Sequence, residues 1–190
     1  MSSVGDMTDL EQISAEVRAC TKCALSRGRQ NAVPGEGPED SYIMFVGEAP
    51  GVQEDIQGRP FVGPAGQLLD QLLTEAGLSR EEVYITNIIK CRPPGNRDPL
   101  PSEIEACNDY LIGQIAAIQP RVICTLGSPA LRTLVDPKAS ISRVHGTSVR
   151  RGGILYVPLY HPAAAIHKRA LRQTLVDDMI RVRPILTGEE

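Results

Sequence analysis

The feature that most constrains the fold is an alternation along the chain. Short, almost wholly apolar runs recur between segments whose apolar residues keep helical spacing. Tyr42-Ile-Met-Phe-Val46, Val83-Tyr-Ile-Thr86, Arg121-Val-Ile-Cys-Thr-Leu126 and Ile154 to Leu159 read as strands. Strands that are apolar throughout are those covered on both faces, the situation of a mainly parallel sheet. Between them, Leu68, Leu69, Leu72 and Leu73 share one face of a helix expected from Gly66 to Ala76 and stopped by Gly77. Ile104, Cys107, Leu111, Ile115 and Ile118 mark a longer helix, and Ser102 with Glu105 has the spacing of a capping box at its start. Ser79 and Glu82 share that spacing ahead of the second strand. Leu10 to Arg18, Pro129 to Val135 and Arg169 to Arg183 complete the helices. The pattern predicts an α/β sandwich, whose sites belong in the loops at the carboxyl ends of strands.

At 190 residues, 42% of them apolar and 23% charged, the chain fits a single domain spanning 1–190, with residues 1–8 and 186–190 read as tails. The N-terminus lacks the basic-then-apolar order of a secretory leader. The apolar stretch from Ile154 to Ile166 is broken by Pro158, His161 and Pro162, which excludes a membrane span there. A cytoplasmic protein is expected. The net charge of −3 does not advertise nucleic-acid binding, although a local basic face suffices for phosphate contacts. Two clusters qualify: Arg143 with Arg150 and Arg151, and His167, Lys168, Arg169 and Arg172. Charge alone favours reading both as solvated surface.

Five cysteines stand at 20, 23, 91, 107 and 124. Cys20-Thr-Lys-Cys23 is a C-x-x-C that lets two thiolates converge on one centre, and Cys91 with Cys107 can complete a four-thiolate site. Disulfides do not suit a cytoplasmic protein. The C-x-x-C also does not follow a strand, as a redox pair usually does. Spacing alone leaves structural zinc and an iron–sulfur cluster as alternatives. Cys124, inside a strand, reads as a small buried hydrophobe.

The loop after the first strand, Gly47-Glu-Ala-Pro-Gly51, continues through Glu54, Asp55, Gly58, Arg59, Pro60, Phe61, Gly63 and Gly66. It matches neither a P-loop nor a dinucleotide fingerprint. Phe61, one of two phenylalanines in the chain, is either a lid on the core or a stacking platform for a planar ligand. Asn87 ends the second strand, where a carboxamide offers one donor and one acceptor. His161-Pro162 ends the last strand. Three strand ends thus bring Glu, Asn and His toward one place.

The run Gly47-Glu-Ala-Pro-Gly51, Glu54-Asp55 with Gly58-Arg-Pro-Phe-Val-Gly-Pro-Ala-Gly66, Thr86-Asn-Ile-Ile-Lys90, Cys91-Arg-Pro-Pro94 and His161-Pro-Ala-Ala164 resembles the iron–sulfur-containing family 4 uracil-DNA glycosylases over nearly the whole chain. The resemblance implies a three-layer α/β/α sandwich with a central, mainly parallel four-stranded sheet. It also implies a [4Fe–4S] cluster on Cys20, Cys23, Cys91 and Cys107. By the same resemblance the chain acts as a monomer on uracil in single- or double-stranded DNA and hydrolyses the base–sugar bond.

Uracil would lie on Phe61, pair its O4/N3 edge with Asn87 and receive a hydrogen bond from His161 at O2, near the backbone of Glu48 and Ala49. A carboxylate would act at the sugar, with Glu54 the first candidate and Glu48 the second. Ala49 stands where the best-known uracil glycosylases carry an Asp. After His161, Ile166 is expected to wedge into the vacated base stack, with His167, Lys168 and Arg169 on the DNA backbone. Two rivals are a non-catalytic nucleic-acid-binding module with a structural metal and a covalently trapping uracil-binding protein. The latter type carries a histidine-bearing loop that Arg92-Pro-Pro-Gly-Asn-Arg-Asp98 lacks.

Overall fold

Five strands form one sheet in the computed structural model, which describes residues 8–188. They are β1 (Ile43–Gly47), β2 (Tyr84–Asn87), β3 (Val122–Leu126), β4 (Val149–Arg151) and β5 (Ile154–Leu159), in the order β2-β1-β3-β5-β4. The first, second, third and fifth run parallel, while β4 pairs antiparallel with β5 at the edge. The expected four-stranded sheet is therefore the parallel part of a five-stranded one. The omitted strand is three residues long with every side chain exposed, so it carries no burial pattern to read.

Eight helices cover the sheet: α1 (Asp9–Ala19), α2 (Val52–Gln57), α3 (Pro64–Glu75), α4 (Pro101–Ile118), α5 (Ser128–Leu134), α6 (Ile141–Val144), α7 (Pro162–Ala165) and α8 (Arg169–Thr187). Side chains alternate between the two faces of a strand, and the core divides accordingly. Ile43, Phe45, Ile85, Cys124 and Val157 pack with Leu69, Leu72 and Leu73 of α3 and Leu175, Met179 and Val182 of α8. Met44, Val46, Tyr84, Ile123 and Tyr156 pack with Val17 of α1, Leu111 and Ile118 of α4 and Leu131 of α5. The result is a three-layer α/β/α sandwich. Each fully buried leucine contributes about 2 kcal/mol through the apolar surface it removes from water.

Several boundaries move. The helix signalled by Ser102 and Glu105 begins two residues earlier, at Pro101, because Glu103 accepts the backbone N–H of Leu100 at 2.8 Å and caps it there. The signal at Ser79 holds, with Glu82 accepting the Ser79 N–H at 2.7 Å over a single 3-10 turn. The expected tails are shorter. Thr8 caps α1 through a capping box with Glu11, and Leu186 is buried within α8. Thr187 ends α8 and Gly188 caps it, while residues 1–7 and 189–190 lie outside the described residues.

Chain order runs from β1 outward to β2 on one side, whereas β3 and β5 lie on the other. In such sheets the loops leaving the carboxyl ends of the strands part and leave a crevice. Among the described residues, no helix is long and apolar enough to cross a membrane.

Candidate active site

That crevice holds a cavity of about 400 Å³ whose lining includes Glu48, Ala49, Glu54, Phe61, Asn87, Arg97 and His161. All six residues expected to surround uracil are therefore gathered around one space. They arrive on three strand ends: Glu48 and Ala49 after β1, Asn87 closing β2, and His161 after β5.

Asn87 is 1% exposed, and its Oδ1 is buried without a hydrogen-bond partner among the described residues. A buried carbonyl oxygen left unpaired costs roughly 1–3 kcal/mol, and Asn87 carries this one on a residue that lines the cavity. The backbone beneath it is fixed by Lys90. The Lys90 ammonium, 1% exposed, donates to the Asn87 carbonyl at 2.8 Å, to Thr86 Oγ1 at 2.7 Å and to Gln114 Oε1 at 2.7 Å. Burial pushes its pKa down to about 7. Gly47 is required here because a Cβ would stand 2.5 Å from Asn87 Oδ1 and 2.6 Å from Phe61 Cζ.

Phe61 is both things its sequence position allowed, a 5%-exposed part of the core and a wall of the cavity. Its φ is +49°, a left-handed conformation costing a non-glycine residue of order 1 kcal/mol or more. Close packing imposes it: the Phe61 carbonyl lies so near Gly66 that a Cβ there would meet it at 1.8 Å. The ring stacks on His161, with centroids 5.6 Å apart and planes 27° from parallel.

His161 caps α7, accepting the Ala163 N–H at Nδ1 over 3.0 Å. Because Nδ1 is the acceptor, the single proton of a neutral imidazole sits on Nε2. Burial lowers the His161 pKa to about 4, against a smaller opposing influence from the Glu54 charge, so the ring is neutral at physiological pH. The side chain is thus a neutral N–H donor whose tautomer is set by the backbone.

The two carboxylates have different surroundings. Glu54 Oε1 accepts the N–H groups of Val62 and Gly63 at 2.9 Å each, and Oε2 accepts that of Gly51 at 3.1 Å. It staples the glycine-rich loop across α2 while also lining the cavity. Glu48 has a pKa raised by desolvation and by the nearby Asp98 charge, with no hydrogen bond offsetting either. Both carboxylates line the cavity, and of the two only Glu54 is tied to backbone N–H groups.

Ile166, His167, Lys168 and Arg169 form an exposed run separated by the buried Ala165 from Ala163 and Ala164, which line the cavity. By contrast, Arg150 and Arg151 lie on β4, the edge strand farthest from β1 and β2.

Sequence reading missed one wall altogether. Pro93, Asn96 and Arg97 close the cavity opposite the strand ends, and Glu103 of α4 holds the Arg97 guanidinium with two hydrogen bonds of 2.9 and 2.7 Å. Lys90 was also missed; its only signal was a lysine inside an otherwise apolar run.

Cys20, Cys23, Cys91 and Cys107 pack in or against a single core cluster, close enough for their charges to act on one another. Among the described residues no group of three or more His, Cys, Asp or Glu is spaced to hold a single metal ion. The donor set suits a larger all-thiolate group. Cys91 Sγ accepts from the Arg29 guanidinium at 3.0 Å, and Cys20 Sγ from the Lys22 N–H at 3.4 Å, the N–H···S contacts that stabilise thiolate ligands. Without such a group, burial pushes the Cys91 thiol up to about 11. Cys124 is buried within β3, apart from the others.

A model of the uracil DNA glycosylase superfamily matches residues 34–181, the span containing every cavity residue. The type-4 uracil-DNA glycosylase of Saccharolobus solfataricus is 47% identical over 96% of this chain and 89% of its own length. That of Archaeoglobus fulgidus is 47% identical over 93% and 92%, and that of Thermotoga maritima 45% over 95% and 96%. The chain belongs to the type-4 family of the uracil-DNA glycosylase superfamily.

Proposed function

We propose that this chain hydrolyses the N-glycosidic bond of uracil in DNA, releasing the free base and leaving an abasic site for repair. The observation that carries the reading is the unpaired, buried Asn87 Oδ1 on the wall of a cavity that also holds Phe61 and a neutral His161.

A base inside a duplex is out of reach, so the nucleotide turns out into the cavity at a cost of a few kcal/mol in lost stacking. Phe61 receives its face. The uracil N3–H donates to Asn87 Oδ1, and O4 accepts from the carboxamide nitrogen. Cytosine presents the opposite polarity at both atoms, leaving two polar groups unpaired. As N1–C1′ breaks, negative charge gathers on O2, where the His161 Nε2–H donates. Positive charge develops on the sugar, and the Glu48 carboxylate stabilises it or orients the attacking water. Glu54 holds the loop that presents Glu48.

Cys20, Cys23, Cys91 and Cys107 would hold a [4Fe–4S] cluster. When bound, it supplies a cross-link between the segment after α1, the loop after β2 and the first turns of α4. The active unit on this reading is a monomer, whose own strand ends and loops line the cavity. Its target is uracil-containing DNA, single- or double-stranded, approached through Ile166, His167, Lys168 and Arg169.

The reading is tested by incubating the protein in excess with a uracil-containing oligonucleotide, followed by alkali. Strand breaks at uracil are expected from the native chain. In Asn87→Ala and His161→Ala the rate should fall by a hundredfold or more, the usual size of a lost transition-state hydrogen bond. Full cleavage by Asn87→Ala would overturn the recognition scheme, and no breaks with the native protein would overturn the function.

A further inference from the structure

The segment carrying Phe61 and the strand carrying Asn87 are far apart in sequence, yet both must meet the same base. Arg80, in the turn before β2, connects them. Its side chain is 17% exposed and directs its donors at two kinds of target, backbone carbonyls and carboxylates. One is the backbone of the platform: Nη1 donates to the Phe61 carbonyl at 2.9 Å and Nη2 to the Pro60 carbonyl. The other is Glu36, whose Oε1 accepts from Nε at 2.9 Å and Nη2 at 2.8 Å, while Asp70 of α3 accepts from Nη1 at 3.1 Å.

Glu36 is itself pinned to β2 by reciprocal backbone hydrogen bonds with Ile85, 3.0 and 2.8 Å long, two residues before Asn87. Arg59 grips the same carboxylate from the other side at 2.8 and 3.1 Å. Glu36 is thus a fixed anchor, and Arg80 transmits its position to a peptide at φ +49° that is strained without support.

From this geometry we infer that Arg80 is a positioning residue for base recognition, holding the Phe61 platform in register with Asn87 through Glu36 and β2. The guanidinium suits the task because its rigid fork spans two carbonyls and a carboxylate at once. An ammonium is a single point charge.

The inference rests on the uracil-binding reading above, and its test separates the two. Dissociation constants for free uracil, and single-turnover rates on a uracil-containing single-stranded oligonucleotide, are measured for the native protein, Arg80→Met, Phe61→Ala and the double variant. Arg80→Met should weaken uracil binding about tenfold, the scale of one lost charged hydrogen bond. In the Phe61→Ala background the same substitution should cost little more, because there is no platform left to hold. Arg80→Lys should recover the activity only partly. Contacting residues give non-additive effects of this kind, whereas general damage to the fold adds in both backgrounds.

If Arg80→Met does not fold, Glu36→Gln replaces it, with the same non-additivity expected. Equal losses from the arginine or glutamate substitution with and without Phe61 would overturn the inference while leaving the glycosylase reading intact. A native protein that neither binds nor releases uracil would overturn that reading first.

Discussion

Glu48 and Glu54 lie on one loop and read alike in the sequence, but the folded chain gives them different tasks. Glu54 spends both oxygens on the N–H groups of Gly51, Val62 and Gly63. Those bonds form only once the loop has turned back on itself, so spacing along the chain does not reveal them. Glu48 remains desolvated beside Asp98, with its pKa above the ordinary 4.5. Burial pushes its pKa up, whereas burial pushes the His161 imidazole down to about 4. If the Glu48 carboxylate acts at the sugar, single-turnover rates should fall as pH drops through a midpoint above 4.5, while the imidazole is still neutral. Glu48→Gln should lower the plateau and remove that acid limb. A limb surviving in Glu48→Gln near pH 6.5 would assign the titration to an ordinary histidine and contradict the burial of His161. Asn87, Phe61 and His161 were legible as a convergent set because each stands at or just beyond a strand end or in the loop of one. Lys90 and Arg80 were not, since their significance lies in partners brought up from other segments.

At the scale of elements, the four parallel strands and the main helices follow from apolar runs and helical spacing, because burial on both faces writes a strong pattern. The short elements do not. α2, α6 and α7 have four to six residues each, too few for a periodicity to show. Yet α7 matters to the site, for His161 caps it and its end delivers the exposed Ile166 to the rim of the cavity. We expect Ile166 to fill the gap left by an extruded nucleotide. Ile166→Ala should therefore slow cleavage of paired uracil about tenfold more than cleavage of single-stranded uracil, reflecting the few kcal/mol of stacking that only the duplex loses. Equal losses on the two substrates would exclude a wedge. The segment after α1, the loop after β2 and α4 each bring cysteines into or against one core cluster. A brown protein with broad absorption at the visible–ultraviolet boundary is the expected signature of iron–sulfur on thiolates. Cys91→Ala should bleach it and lower the melting temperature, whereas His161→Ala should leave the colour unchanged. A colourless native protein holding zinc would contradict the cluster assignment.

For the whole molecule, the net charge of −3 conceals how unevenly charge is spread. A basic, exposed run follows the cavity-lining Ala163 and Ala164 along the chain, while the second basic cluster is largely displaced to the far edge strand. Composition averages over that asymmetry, which is why charge alone argued against a nucleic-acid partner and the fold does not. The fold supplies a crevice at the carboxyl ends of its parallel strands. The loops there bring Phe61, the Asn87 carboxamide and a neutral His161 to one cavity, and the family relationship covers almost the full chain. The account's central claim is chemical: the bond between uracil and its sugar is broken and the base leaves free. The most direct measurement is mass spectrometry of the products after excess protein meets a duplex carrying one uracil. The account predicts free uracil in equimolar amount with an abasic strand, and no release of cytosine or thymine. Intact DNA, or a stable protein–DNA adduct without free uracil, would contradict it.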